Sequence, residues 1–213
     1  NQSHVQNAAF SALLALAQTQ DSSSPLARKA LVSDVDVMRR VAAALASSAS
    51  DAERATQLLL FASTDADAAR TLAANPALVE GAAALAGGRG DGARSDAARS
   101  TAFGFLHNLL LNQCGNVANS ESVRASIIAC TASRKLEAEA WTVVAALARA
   151  NRDAARDVVS RPGVATELVD AVTEPSNAPR TKVAAWNALT AVAGLVPVSV
   201  LRMDDIYTQL SGE

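Results

Sequence analysis

Apolar residues along this chain recur at helical rather than strand spacing, and the strongest pattern is a nine-residue string that returns five times. It starts at Ala9, Ala55, Ala102, Ala140 and Ala185, at intervals of 46, 47, 38 and 45 residues, and reads AFSALLALA, ATQLLLFAS, AFGFLHNLL, AWTVVAALA and AWNALTAVA. With the alanine as position 0 and a turn of about 100° per residue, positions 0, 1, 4, 7 and 8 share one arc, which predicts an amphipathic helix with that arc inward. Position 4 is always a branched aliphatic: Leu13, Leu59, Leu106, Val144 and Leu189. Position 1 is Phe10, Phe103, Trp141 or Trp186 in four of the five strings, and these are four of the seven aromatic residues in the chain. An alanine column says little in an alanine-rich sequence, but an aromatic column in an aromatic-poor one marks a repeat. Its place on the inward arc makes Trp141 and Trp186 expected spacers between helices rather than ligand platforms.

A second helical string follows each of the first: DVDVMRRVAAAL, NPALVEGAAAL, ESVRASIIAC, PGVATELVDAV and DDIYTQL. Aligning Val37, Leu78, Val123, Val164 and Ile206 gives intervals of 41, 45, 41 and 42 residues, nearly the same period. Between the two lie segments such as DADAARTLAAN (65–75) and RDAARDVVSR (152–161), which predict one further short helix per unit. The expected organisation is a single repeat domain over 1–213, with units at approximately 1–27 (partial), 28–64, 65–113, 114–150, 151–196 and 197–213 (partial). The first string lacks preceding helices of its own, and the last unit lacks a third helix. Self-association, or packing against flanking repeats, is therefore expected, because a terminal repeat with an apolar outer face is poorly soluble.

Composition narrows the fold and the partners. Half the residues are hydrophobic and only 3% aromatic, and alanine makes up roughly a quarter, which favours close-packed helices over strands. The net charge of −2 is interspersed in sign and gives no basic footprint for nucleic acid or an anionic membrane. No apolar run reaches the roughly 20 residues of a membrane span, and the opening Asn-Gln-Ser-His has no signal-peptide character, so the expected address is intracellular, cytoplasmic or nuclear. Cys114 and Cys130 read as reduced core residues rather than a lone disulfide. With two histidines, His4 and His107, and no cysteine-pair spacing, neither a metal nor a cofactor nor a catalytic group is expected. Arg152, Asp153, Arg156 and Asp157 fit the solvated face of a short helix. The stretch Gly87 to Gly92 contains Arg-Gly-Asp but reads as a plain loop, and it lacks the Lys-Ser/Thr pair of a phosphate loop.

Three helices in about 42 residues resembles the armadillo repeat, with two-helix HEAT-type repeats the near alternative. Ala102-Phe-Gly-Phe-Leu-His-Asn-Leu-Leu is similar to that family's third helix, and Arg161-Pro-Gly-Val-Ala-Thr-Glu-Leu-Val-Asp-Ala-Val to the start of its second. The resemblance implies an all-α right-handed superhelix, an armadillo-like solenoid, acting as a non-enzymatic scaffold or adaptor that binds a protein or peptide in a groove lined by third helices. An alternative is a regulator of an enzyme, such as an exchange factor for a small GTPase or a chaperone. Positions 2, 6 and 9 lie opposite the apolar arc and would face the groove, which nominates Gln57, Phe61, Gly104, Asn108, Leu111, Thr142, Arg149 and Asn187. Importin-alpha-like and beta-catenin-like arrays carry an asparagine ladder at position 6. Only Asn108 matches it, and no position 2 holds a tryptophan, so an importin-like cargo site is not implied. Gly104, Asn108 and Asn112 share one face beside His107 and Leu111 and form the best local candidate. Alternatively the asparagines are solvated or cap the helix end before Gly115. Phe61 and Leu111 are either partner anchors or are covered by short helices.

Overall fold

The structure, a computed structural model, describes residues 11–15, 18, 24–88, 95–134 and 136–195. All regular structure among these residues is α-helical, as the periodicity and composition predict. Residues 11–15 are helical. After them come α1 (Ser24–Ser33), α2 (Val35–Leu45), α3 (Ala49–Ala62), α4 (Ala66–Ala73), α5 (Pro76–Ala86), α6 (Asp96–Leu111), α7 (Gly115–Ala118), α8 (Glu121–Ser133), α9 (Glu137–Ala150), α10 (Arg152–Val159), α11 (Val164–Thr173) and α12 (Pro179–Val192). His4, Phe10, the Arg-Gly-Asp tripeptide and the DDIYTQL string lie outside the described residues.

Polar residues set these boundaries. Asp34 Oδ1 accepts from the backbone N–H groups of Asp36 and Val37 at 3.0 Å each and caps α2. Ser95 Oγ accepts from Ala98 N–H at 3.1 Å at the start of α6. Asn151 Oδ1 serves Asp153 and Ala154 at 3.0 and 3.1 Å before α10. Each oxygen satisfies donors that the first helical turn leaves unpaired. Helices α5 and α12 instead begin on Pro76 and Pro179, where a missing N–H is harmless.

The helices stack in rows. Those carrying the strings, α3, α6, α9 and α12, pack in that order, and α2, α5, α8 and α11 pack in theirs. The shorter α1, α4, α7 and α10 complete four consecutive triplets. Every substantial helix–helix contact joins helices of one triplet or of adjacent triplets. The triplets span 24–62, 66–111, 115–150 and 152–192, so α1 begins ahead of the boundary expected at residue 28. The short 38-residue interval between Ala102 and Ala140 also has a cause. Helix α7 has 4 residues where α4 and α10 have 8.

Neighbouring string helices keep one register. Leu60 of α3, at position 5, lies against Gly104 of α6, at position 2, and Ser63 at position 8 meets Asn108 at position 6. Near the other end of the row's seam, Ser100, two residues before its alanine, meets Glu139, one residue before its own. Positions rise together from one contact to the next along α3 and α6, so these two string helices run in the same direction. The flank with positions −2, 1, 5 and 8 looks toward the following helix, and the flank with positions −1, 2, 3 and 6 toward the preceding one.

Position 1 behaves as a spacer where a neighbour follows. Phe103 of α6 is 1% exposed and Trp141 of α9 is 0% exposed. Trp186 of α12, at the same position, is 43% exposed, which corrects the expectation for that residue. Its flank meets no further string helix among the described residues. Cys114 and Cys130 are buried and unpaired, as core cysteines.

Candidate functional site

The string-helix row carries a cleft of about 280 Å³ that draws on all four of its helices: Leu60 from α3, Ser100, Thr101, Phe103, Gly104 and His107 from α6, Glu139 and Thr142 from α9, and Arg180 from α12. Of the residues nominated from sequence, the structure brings Gly104, His107 and Thr142 together here. Gly104 lines the cleft. A Cβ on it would stand 3.0 Å from Leu60 Cδ1, so a side chain here would require Leu60 to shift.

Glu139 organises the cleft and was not found from sequence. Its carboxylate is 11% exposed and accepts from Ser100 Oγ at 2.9 Å and from Arg180 Nη2 at 2.8 Å, which ties α6, α9 and α12 together. Arg180 remains 75% exposed and lines the cleft. Glu139 and Ser100 sit just before their alanines and Arg180 five residues before its own. A projection that began at the alanine left them out, and the polar residues preceding each string were the available signal.

His107 is half-buried. Burial, and secondarily the Arg149 guanidinium, hold its pKa below the usual 6.5, so the imidazole is neutral at pH 7. Ser100, His107 and Glu139 share the cleft, but the hydroxyl donates to the carboxylate and no hydrogen bond joins the imidazole to either. The arrangement therefore offers donors and acceptors to a bound group without the nucleophile-to-base contact of acyl transfer.

The asparagines hold the row together. Asn108 Nδ2 donates to Leu60 O at 3.3 Å and to Ser63 Oγ at 3.1 Å, stapling α6 to the end of α3. Asn112 caps the end of α6, its Nδ2 donating to Asn108 O at 2.8 Å. Position 6 is a seam rather than a groove position, because string helices press on both flanks: Ala146 is 1% exposed. Phe61, also at position 6, is half-buried and packed on the core. Gln57 is half-buried on α3, whereas Arg149 on α9 and Asn187 on α12 are exposed. Leu111 is 50% exposed at the end of α6. Thr142 bonds only its own helix, Oγ1 donating to Ala138 O at 2.7 Å.

The chain matches no family model, no curated protein and no solved structure.

Among the described residues no group of three or more His, Cys, Asp or Glu side chains could hold a metal ion, and no helix is long and apolar enough to cross a membrane. A second cleft, of about 350 Å³, lies away from the string helices. It sits between α1, α2, α4 and α5 and is lined mainly by apolar groups such as Val32, Met38, Leu72 and Pro76.

Proposed function

We propose that this chain is an armadillo-type α-solenoid, a right-handed superhelix, whose string helices present a groove to a peptide or helix of another protein and which carries out no chemistry itself. The reading is supported by contacts confined to adjacent triplets, the pattern of a quasi-one-dimensional repeat array. The observation that carries it is a cleft built from side chains of four successive string helices. Such a cleft suits a ligand laid across the row. Its mixed lining, with Phe103 and Leu60 beside Thr142, His107 and the Glu139–Arg180 pair, fits a peptide that buries one apolar side chain and hydrogen-bonds through its backbone.

Selection of a displayed random-peptide library on the whole chain tests this. Enriched peptides are expected to bind wild type and to lose at least tenfold in affinity to Thr142→Arg, which fills the cleft from a position whose hydroxyl bonds only its own helix. The melting temperature should be unchanged. Failure to enrich any peptide, or undiminished binding by Thr142→Arg, sinks the groove reading.

A further inference from the structure

Resting on that reading of the cleft, we infer that its partner brings a positively charged nitrogen, an ammonium or a guanidinium, to the carboxylate of Glu139. The two oxygens of this group are used unequally. Oε1 accepts both bonds already described, from Ser100 Oγ and from Arg180 Nη2, whereas Oε2 accepts none from the described residues. A carboxylate has about four lone-pair sites for hydrogen bonds. Much of that capacity is therefore spare, on a side chain that lines the cleft and is anchored from α6.

The hydroxyls of the lining point to the same ligand chemistry. Ser100 gives its proton to Glu139, Thr101 Oγ1 donates to Ala97 O at 2.8 Å, and Thr142 Oγ1 donates to Ala138 O. A hydroxyl has one proton to give, so these three oxygens keep only lone pairs for a ligand. Leu60, half-buried, lines the same cleft and gives an aliphatic stem apolar surface to lie on. Arg180 already shows that Glu139 takes a cation, but the two partners are held differently. The carboxylate is nearly buried and tied to a neighbouring helix, while the guanidinium is mostly exposed at the end of a long stem. An exposed ion pair contributes little, and its long side chain swings aside at small cost. The preorganised half of the contact is the acceptor, which favours a ligand that brings donors. A ligand carboxylate would instead meet Glu139 itself and hydroxyls whose protons are spent.

Pools of short synthetic peptides test this on the whole chain, random except for a central residue fixed as Arg, Lys, Glu or Leu, each with a free or an acetylated amino terminus. Binding is read by interferometry on the immobilised pools. Wild type should bind pools that carry the fixed positive charge, or a free amino terminus, at least about tenfold tighter than the acetylated Glu and Leu pools. A preference that survives acetylation places the cation on a side chain; one that needs only the free terminus places it on the first residue of the peptide. Glu139→Gln, which keeps the size of the side chain and an acceptor for Ser100, should erase the preference, with circular dichroism melts confirming the fold. Arg180→Ala, at an exposed position, should bind the preferred pools about two- to fivefold tighter than wild type does, because a competing like charge is gone; it decides alone should Glu139→Gln melt early. A preference that Glu139→Gln retains overturns the inference, as does tight binding of the Glu pool that Arg180→Ala abolishes. Pools that bind without regard to charge and are weakened by Thr142→Arg overturn it while leaving the groove reading standing, and binding by no pool sinks both.

Discussion

Helices α9 and α12 carry closely similar strings, AWTVVAALA and AWNALTAVA, and live in opposite environments. On α9 the four positions that look along the row, Ala138, Trp141, Ala145 and Ala148, are at most 7% exposed. On α12 their counterparts Val183, Trp186, Thr190 and Ala193 are all exposed. The two helices have the same length, 14 residues, and both rest on a second-string helix of their own triplet. What separates them is a neighbour on the far flank, which α12 does not have among the described residues. A string therefore specifies a helix with two apolar flanks, and the neighbours decide how much of that apolar surface leaves water, at roughly 25 cal/mol for each Å² buried. Stability in such a row is a property of contacts between units more than of units.

The largest effect should come from breaking the comparison at its tryptophans. Trp141→Ala empties a fully buried site and is expected to cost about 3–5 kcal/mol in denaturant unfolding of the monomer. Trp186→Ala, cut from a half-exposed site, should cost less than about 1 kcal/mol. Comparable costs for the two would mean that α12 is as enclosed as α9. Trp141→Phe sharpens the point. The Trp141 Nε1–H is buried with no acceptor, a defect worth about 1–3 kcal/mol, so removing it should offset much of the lost packing and leave stability within about 1 kcal/mol of wild type.

The sequence announced the helices but not this contrast. The aromatic column, the position 4 aliphatics and the second string's period mark α2, α3, α5, α6, α8, α9, α11 and α12, because amphipathic periodicity is a local property of the chain. The shortened interval before Ala140 finds its cause in the single turn of α7. Exposure at Trp186 is not local, since nothing in AWNALTAVA records whether another helix lies beyond it. The cleft was legible in part for the same reason. Gly104 and Thr142 fall on the face that helical projection assigns, with His107 beside it. The Glu139 carboxylate matters only because Ser100 and Arg180, 39 and 41 residues away, converge on it. Asn108 is the one asparagine at position 6 of a string, yet its Nδ2 donates to Leu60 O and Ser63 Oγ at the end of the preceding helix.

A middle-sized effect is expected where the seam is polar. Asn108→Ala removes two hydrogen bonds between α3 and α6, while Leu60 O keeps its bond from Ser63 Oγ at 2.9 Å. The variant should lose about 1 kcal/mol. Asn187→Ala is the control, on the outer helix with an exposed side chain, and should stay within about 0.5 kcal/mol of wild type. Shifts in denaturation midpoint at unchanged slope read both values, and a larger loss at Asn187 would contradict the view that its exposed side chain makes no contact that holds α12 in place.

The smallest effect concerns position 5, where α6 carries His107 and α12 carries Thr190. Burial and the nearby Arg149 charge lower the His107 pKa in the folded protein below the value of about 6.5 it has when unfolded. Between those two values the unfolded chain binds more protons than the folded one, so acidification through this window draws the protein toward unfolding. Stability should be flat above pH 6.5 with respect to this group, fall as pH drops below it, and level off beneath the lowered folded value. His107→Gln should erase that component of the melting-temperature profile. Thr190→His places an imidazole at the equivalent position of the open flank, where neither burial nor Arg149 acts on it. Its ring protons, followed by NMR, should titrate near 6.5 while those of His107 titrate lower. Equal midpoints would show that the inner and outer positions are solvated alike and would remove the electrostatic side of the contrast between flanked and unflanked helices.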